Sequence, residues 1–407
     1  MDSASAAAVA YLRSPAAVRE RCRTVLEAGL RGELEHFSVD LSRLQAAVDL
    51  TWQVTLSSYP DLDVPFHSRI NHFGVGGIQR VQRLEAGLPD SRERARTLTD
   101  LVVTSVLLDA GAGPDWRYVE PVTGLVVQRS EGLALASYHA LGAGSFSSDP
   151  KRPWQADAQG LKALTAERLG LAFQVRADNP LVGLDGRAAL LARLGDTLLE
   201  RPESFAHSGR VGGLCDVLVA RAHGGRLSAE TLLGVVLDAL GPIWPARTQR
   251  FGVDLGDVWP HHAAGGQGPT SGLVPLHKLS QWLSYSLMHP LGVAGVVVSD
   301  ADGLTGLAEY RNGGLFYDTG VIQPKHPGVA GEVHLPGSEL VVEWRALTVA
   351  LLDRLAVGVR ARAGLDAERL PLGKVLEGGT WAAGRRLAAE RRQGAPPIRV
   401  QSDGTLF

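Results

Sequence analysis

The sequence predicts a mainly α, multi-helix fold with one small β-hairpin, and three observations carry that prediction. Apolar residues recur at three- and four-residue spacing through most of the chain, the pattern of helices with one buried face. Helix stop and restart signals punctuate those runs. Only one stretch, Trp116 to Gln128, sets two short β-rich runs about a Pro/Gly turn. There is no internal repeat, heptad run or low-complexity tract.

In chain order, Ala4–Leu12 and Ala16–Leu30 read as helices parted by Ser14-Pro15. Leu41–Leu56 is a third, with Leu44, Val48 and Thr51-Trp52 on one side. Prolines and glycines then break regular structure around Phe66–Phe73. Arg92–Ala110 returns to helix, with Gly111 as its expected C-terminal cap. WRYVE, the turn Pro121–Gly124 and LVVQ form the hairpin, 116–128. Ser130–Leu141 follows, with Ser130 as expected N-cap. Helices are expected near Leu161–Leu171 and over Gly186–Leu199 and Ser228–Leu240. The stretch from Gly241 to Gly272 is turn-rich. A helix then starts near Leu276, Pro324–Gly337 reads as a surface loop, Glu339–Val359 is another long helix, and the tail Leu372–Arg392 precedes an extended end. The chain is read as one continuous unit over 1–407. Its looser stretch, Gly142–Pro180, is where two lobes would part: 1–145 with the hairpin, and 180–407 with the candidate site.

At 407 residues, with 45% hydrophobic and 21% charged residues, this is the composition of an ordinary globular protein with a large core. A formal net charge of −2 leaves no global positive field for nucleic acid or an anionic membrane. Cys22 and Cys215 stand far apart, which argues against a disulfide framework or a cysteine zinc site. No segment is apolar for the roughly 18 residues a bilayer demands. The N-terminus lacks the order of a signal peptide, its arginines following the apolar part. A cytoplasmic location is expected, and oligomeric state stays open.

The stretch Leu276–Ile322 concentrates the candidate chemistry. Leu279, Trp282, Leu283 and Leu287 share one helix face, and Lys278, Gln281 and Tyr285 another. Lys278 is one of five lysines against 36 arginines. A compact ammonium acts as a point charge and shifts its pKa when buried, as a guanidinium does not. Asp300, Asp302, Glu309, Tyr310, Arg311 and Asp318 follow among glycines. FHSRINHF adds His67, Arg69, Asn71 and His72, suited to an anion or polar ligand, or to a buried polar turn. His67 and His72 are five apart, unlike a helical zinc pair, and no spacing argues for a metal or other cofactor. Phosphate-loop, dinucleotide and serine-hydrolase motifs are absent. A carboxylate in a half-dry pocket suits a reaction that builds positive charge on carbon or activates water, such as cleavage at an anomeric carbon. Glu309 or Asp302 would supply that charge. Lys278, Arg311 or Arg345 would hold an anionic part of the substrate, and tryptophans such as Trp282 would exclude water or stack a planar group.

The phrases FHSRINHF, WRYVEPVTG, SEGLALAS, NPLVGLDGR, HKLSQWLSYSL, GLTGLAEYRNGGLFYDTGV, SELVVEWRALTVALLDRL and LEGGTWAAGRRLAAERR resemble the uracil-catabolism proteins of fungi and bacteria. That resemblance implies a step after ring opening, where a ribosylurea-type intermediate is split to release urea. A shorter likeness, to queuosine-salvage glycohydrolases related to DNA glycosylases, rests on three segments in the same order. They are His277-Lys278 with Gln281, then Asp302 with Ala308-Glu309-Tyr310-Arg311, then Glu343-Trp344-Arg345-Ala346. Glu309 stands where that family has aspartate, and Ser280 where it has alanine. The likeness implies a DNA-glycosylase-like helical fold and an N-glycosidic hydrolase acting on a small ribosyl compound, ribosylurea or its 5′-phosphate. Glu309, Asp302 and Lys278 are its expected catalytic residues. Gln281, Tyr310, Arg311, His67, Arg69, His72, Glu343, Arg345 and Trp282 would bind substrate. The rivals are a metal-assisted amidohydrolase using His67, His72, His261 or His262 on a ureido group, and a non-catalytic binding protein of the same pathway.

Overall fold

A computed structural model describes residues 2–245, 248–402 and 404–405; Ala246 and Arg247, in the turn-rich stretch after Gly241, lie outside the described residues. Helices dominate, as the apolar spacing predicts, and the described strands are two or three residues long. No helix among the described residues is long and apolar enough to cross a membrane.

Contacts group the chain into two compact units, each assembled from separated segments. The first comprises Met1–His67, Ala246–Gln281 and Asp300–Gln401, and the second Ser68–Pro245, Trp282–Ser299 and Ser402–Phe407. Lobes taken in succession differ from this division, because the N-terminal helices find their apolar partners near the C-terminus.

The first unit is organised on helix Glu339–Ala363. Its residues 340–352 are buried on every side, as in a helix at the centre of a core. Helices Pro15–Leu30 and Leu44–Ser58 pack on it. Gly358 permits the second crossing, since a Cβ there would lie 2.7 Å from Val48 Cγ2. Phe37–Val39 pairs antiparallel with Ile322–Pro324, and Val258–Pro260 with Leu273–Pro275. The segment expected as a surface loop, 324–337, holds a short helix, Gly328–Gly331, and strand Val333–His334, parallel to Arg399–Val400. In the tail, helices Leu372–Val375 and Trp381–Arg392 are joined through a π-helical turn, Leu376–Thr380. That wider turn presses Gly379 against helix Leu44–Ser58, where a Cβ would meet Thr51 O at 2.5 Å.

The second unit has helix Ser91–Leu107 in its core, buried continuously from Thr97 onward. The Asp90 carboxylate caps its start by accepting from Glu93 N–H. Its C-cap is Leu108 rather than Gly111. The hairpin forms as expected, Arg117–Val119 against Val126–Gln128. The next helix, Arg129–Gly142, begins without a side-chain cap. Ser130 Oγ donates to the Asp109 carboxylate instead, at 2.6 and 2.7 Å. Arg226–Ser228 and Val297–Ser299 form a parallel pair that the sequence did not suggest. Helix Lys278–Val293 gives its first turn, through Gln281, to the first unit and the remainder to the second.

Candidate functional site

The start of helix Lys278–Val293 is set by Asp257. Its backbone carbonyl accepts from Leu276 N–H at 2.9 Å. One carboxylate oxygen accepts from Lys278 N–H at 3.0 Å and the other from Trp259 Nε1 at 2.7 Å. The Arg345 guanidinium donates to both, at 2.7 and 2.8 Å, the two-pronged geometry in which arginine binds carboxylates most strongly. Burial pushes the Asp257 carboxyl up, but Arg345 and the N–H donors outweigh it and hold its pKa far below the usual range. His277, just ahead of the helix, sits at φ +47° and donates from Nε2 to Leu12 O at 2.8 Å. A non-glycine residue in that region costs about 1–3 kcal/mol, so its surroundings must hold it there. Lys278 is thereby fixed in place, its side chain half-buried.

Glu309 caps helix Tyr310–Asp318 with its own carboxylate. The backbone there is extended, and the side chain turns back to accept from Arg311 N–H at 2.7 Å and Asn312 N–H at 2.5 Å. Each oxygen keeps a second lone pair for another donor. Burial pushes the Glu309 pKa up; the two N–H donors and the charges of Lys278 and Arg311 act against that shift. Lys278 and Glu309, thirty-one positions apart in the chain, therefore lie within each other's electrostatic reach. Arg345 Nε also donates to Ala308 O at 3.3 Å. A continuous set of contacts thus runs from Lys278 through Asp257 and Arg345 to the residue before Glu309.

Around this pair, Gln281 is fully buried and its carbonyl oxygen accepts from Thr305 N–H at 3.2 Å. Arg311 donates to Gly394 O at 3.2 Å, and its guanidinium carbon lies 4.7 Å from the Tyr310 ring centre. Gln281 Nε2, Arg311 Nε and Asn312 Oδ1 are buried with no hydrogen-bond partner among the described residues. Buried polar atoms are ordinarily satisfied, so each of these three open ones could take a polar ligand.

The other candidates lie in different surroundings. Asp302 spends its carboxylate on Arg360 and on Leu372 N–H, both at 2.6 Å. Glu343 is fully buried and accepts from His36 and Phe37 N–H at 3.1 and 2.8 Å. His67 pairs with Glu377 at 2.7 Å, its ring 6.1 Å from that of Trp381. Arg69 and His72 belong to the second unit. The Arg69 guanidinium is fully buried, bonded to Ser105 Oγ at 2.6 Å and Asp109 at 2.9 Å, and it lies 5.6 Å from the Trp282 ring. His72 contacts Arg69 at 3.1 Å and the Trp282 ring at 5.9 Å. Asp257 and Asn312 escaped the sequence reading. The only sequence signal for Asp257 was an acid just before an apolar Val258-Trp259-Pro260 run.

Fold and site together define a mainly helical protein with a buried, helix-capping glutamate that lies within the field of a lysine. A family model described as "Protein of unknown function (DUF1688)" matches residues 11–407, and the chain belongs to that family. It is 38% identical over 410 residues to Protein urg3 of Schizosaccharomyces pombe, covering 98% of this chain and 99% of the relative. It is 37% identical over 437 residues to Uracil catabolism protein 4 of Lachancea kluyveri, with the same coverage.

Proposed function

We propose that this protein acts in uracil catabolism as a hydrolase of the N-glycosidic bond in a small ribosyl compound, ribosylurea or its 5′-phosphate. The observation that carries the reading is the Glu309 carboxyl, buried, raised in pKa and within the field of Lys278. The name of the Lachancea relative supports the pathway. The likeness to queuosine-salvage glycohydrolases, with the DNA-glycosylase-like fold it implies, belongs to the same proposal.

In this scheme the bond from the anomeric carbon to the urea nitrogen breaks, and its electron pair stays on that nitrogen. Urea leaves with a proton taken from solvent, which the proton lost by the attacking water later replaces. Ionised Glu309 balances the positive charge on the sugar and takes a proton from the attacking water. A base with a raised pKa transfers protons more effectively near neutrality than an ordinary glutamate. Asp302, committed to Arg360, leaves this role to Glu309. Lys278 and Arg311 orient the substrate, and the open donor of Gln281 meets a hydroxyl or the urea oxygen.

Purified full chain incubated with each compound should release urea, measured against time. Glu309→Gln should lower kcat by about 100-fold or more, in the range general-base catalysis contributes. It should cost only about 1 kcal/mol of stability through its weakened cap. Folded protein that releases urea from neither compound overturns the proposal.

A further inference from the structure

Glu339 and Glu343 stand one turn apart on the same face of helix Glu339–Ala363. His261 and His262 lie against that face with their rings stacked, centres 4.8 Å apart. His262 Nδ1 meets the Glu339 carboxylate, and His261 Nε2 faces Glu343 Oε2 at 3.5 Å. The outer pair is partly exposed and the inner one fully buried. Neither His261 Nε2 nor Glu343 Oε2 has a hydrogen-bond partner among the described residues. Leaving such atoms unsatisfied costs about 1–3 kcal/mol each. A pair of ordinary ion pairs explains the outer contact but not the open inner one.

The His261 ring shows how the inner contact would close. Its Nδ1 accepts from Ala263 N–H at 3.1 Å, so the ring proton is on Nε2, directed toward Glu343. Nδ1 is therefore the nitrogen with a lone pair to offer a cation in exchange for that hydrogen bond. Ligand atoms of His261, His262 and Glu339 lie within 4.8 Å of one another. A cation with bonds of about 2.0–2.2 Å would draw them together. Glu35 and His36 form a second such group with the same Glu339.

We propose that His261, His262 and Glu339 bind one divalent transition-metal cation of the zinc type, with Glu343 accepting from His261 Nε2–H behind it. Imidazole and carboxylate ligands suit such a cation. A carboxylate behind a ligating histidine fixes the tautomer and strengthens the ligand. Three protein ligands leave a position for water. This goes beyond the proposed reaction at Glu309, and its test reads metal rather than turnover.

Full-length protein without a histidine tag, stripped with chelator, is titrated with zinc chloride by calorimetry. Metal per chain is counted after dialysis, and cobalt(II) absorption reports the geometry. The expected result is one saturable equivalent and a tetrahedral cobalt spectrum. Glu343→Gln should weaken zinc by about 10–100-fold, as loss of a supporting carboxylate does. His262→Ala and Glu339→Ala, at partly exposed positions that should tolerate substitution, should weaken it at least as much. His289→Ala, in the second unit, should change nothing. Non-saturable zinc uptake by the parent protein, or equal binding by His262→Ala and Glu339→Ala, overturns the proposal.

Discussion

Two opposing effects act on the Glu309 carboxyl: burial raises its pKa, while backbone donors and the charges of Lys278 and Arg311 lower it. Burial wins, so the group ionises above the ordinary glutamate value. A reaction that needs ionised Glu309 should then show kcat/KM rising with pH along a limb displaced upward from that value. Lys278→Met removes a charge that lowers the Glu309 pKa, so this limb should move to still higher pH. The profile of urea release against pH checks it, and an unmoved limb would show that Lys278 does not set the ionisation. The sequence singles out Glu309 and Lys278 because acids crowd among glycines and lysine is rare here. It passes over Asp257, since its role depends on Arg345, 88 positions away, and a lone acid in a turn-rich stretch carries no periodic signal.

At the scale of elements, helices were legible where one apolar face repeats, and their ends were not. Spacing reports burial along many residues, whereas a cap depends on where one side chain reaches. Ser130 had the residue type of an N-cap, yet its hydroxyl turns to Asp109. The π-helical turn at Leu376–Thr380 was also hidden, because Gly378 and Gly379 gain meaning only from helix Leu44–Ser58 beside them. Asp257 shows how one acid serves several elements: it holds the first turn of helix Lys278–Val293, the Trp259 strand and the Glu339 helix. Asp257→Asn keeps the shape but leaves Arg345 buried with an unbalanced charge, which typically costs about 3–5 kcal/mol. The double variant Asp257→Leu with Arg345→Met removes both charges and should be less destabilised than Asp257→Asn. Urea unfolding of the three proteins tests the order. A double variant destabilised as much as Asp257→Asn, or more, would mean the pair does not act as a unit.

Across the whole molecule, the helical class and the hairpin were legible, while the interleaving of segments was not, because local periodicity carries no record of which distant faces meet. Among the described residues of the second unit, buried arginines pair with carboxylates, such as Arg69 with Asp109, Arg80 with Glu120 and Arg210 with Asp100. The fixed fork of arginine suits such pairs better than lysine does, in keeping with the chain's 36 arginines. Glu120 shows what they imply for acid stability. The Arg80 guanidinium, with help from Thr123 and His139 and against the effect of burial, holds its pKa at about 2, below the ordinary 4.5. A carboxyl lowered on folding adds stability that is present above pH 4.5 and is lost as pH falls toward 2. The shift corresponds to about 3 kcal/mol at neutral pH. Glu120→Gln forfeits this contribution at every pH and leaves Arg80 buried without its partner charge. The gap in urea midpoint between parent and variant should therefore be widest above pH 4.5 and should narrow steadily as the parent's Glu120 takes up its proton. A gap that stays constant down to pH 2.5 would mean that Glu120 titrates alike in the folded and unfolded chain, and that Arg80 fixes its position without holding its charge.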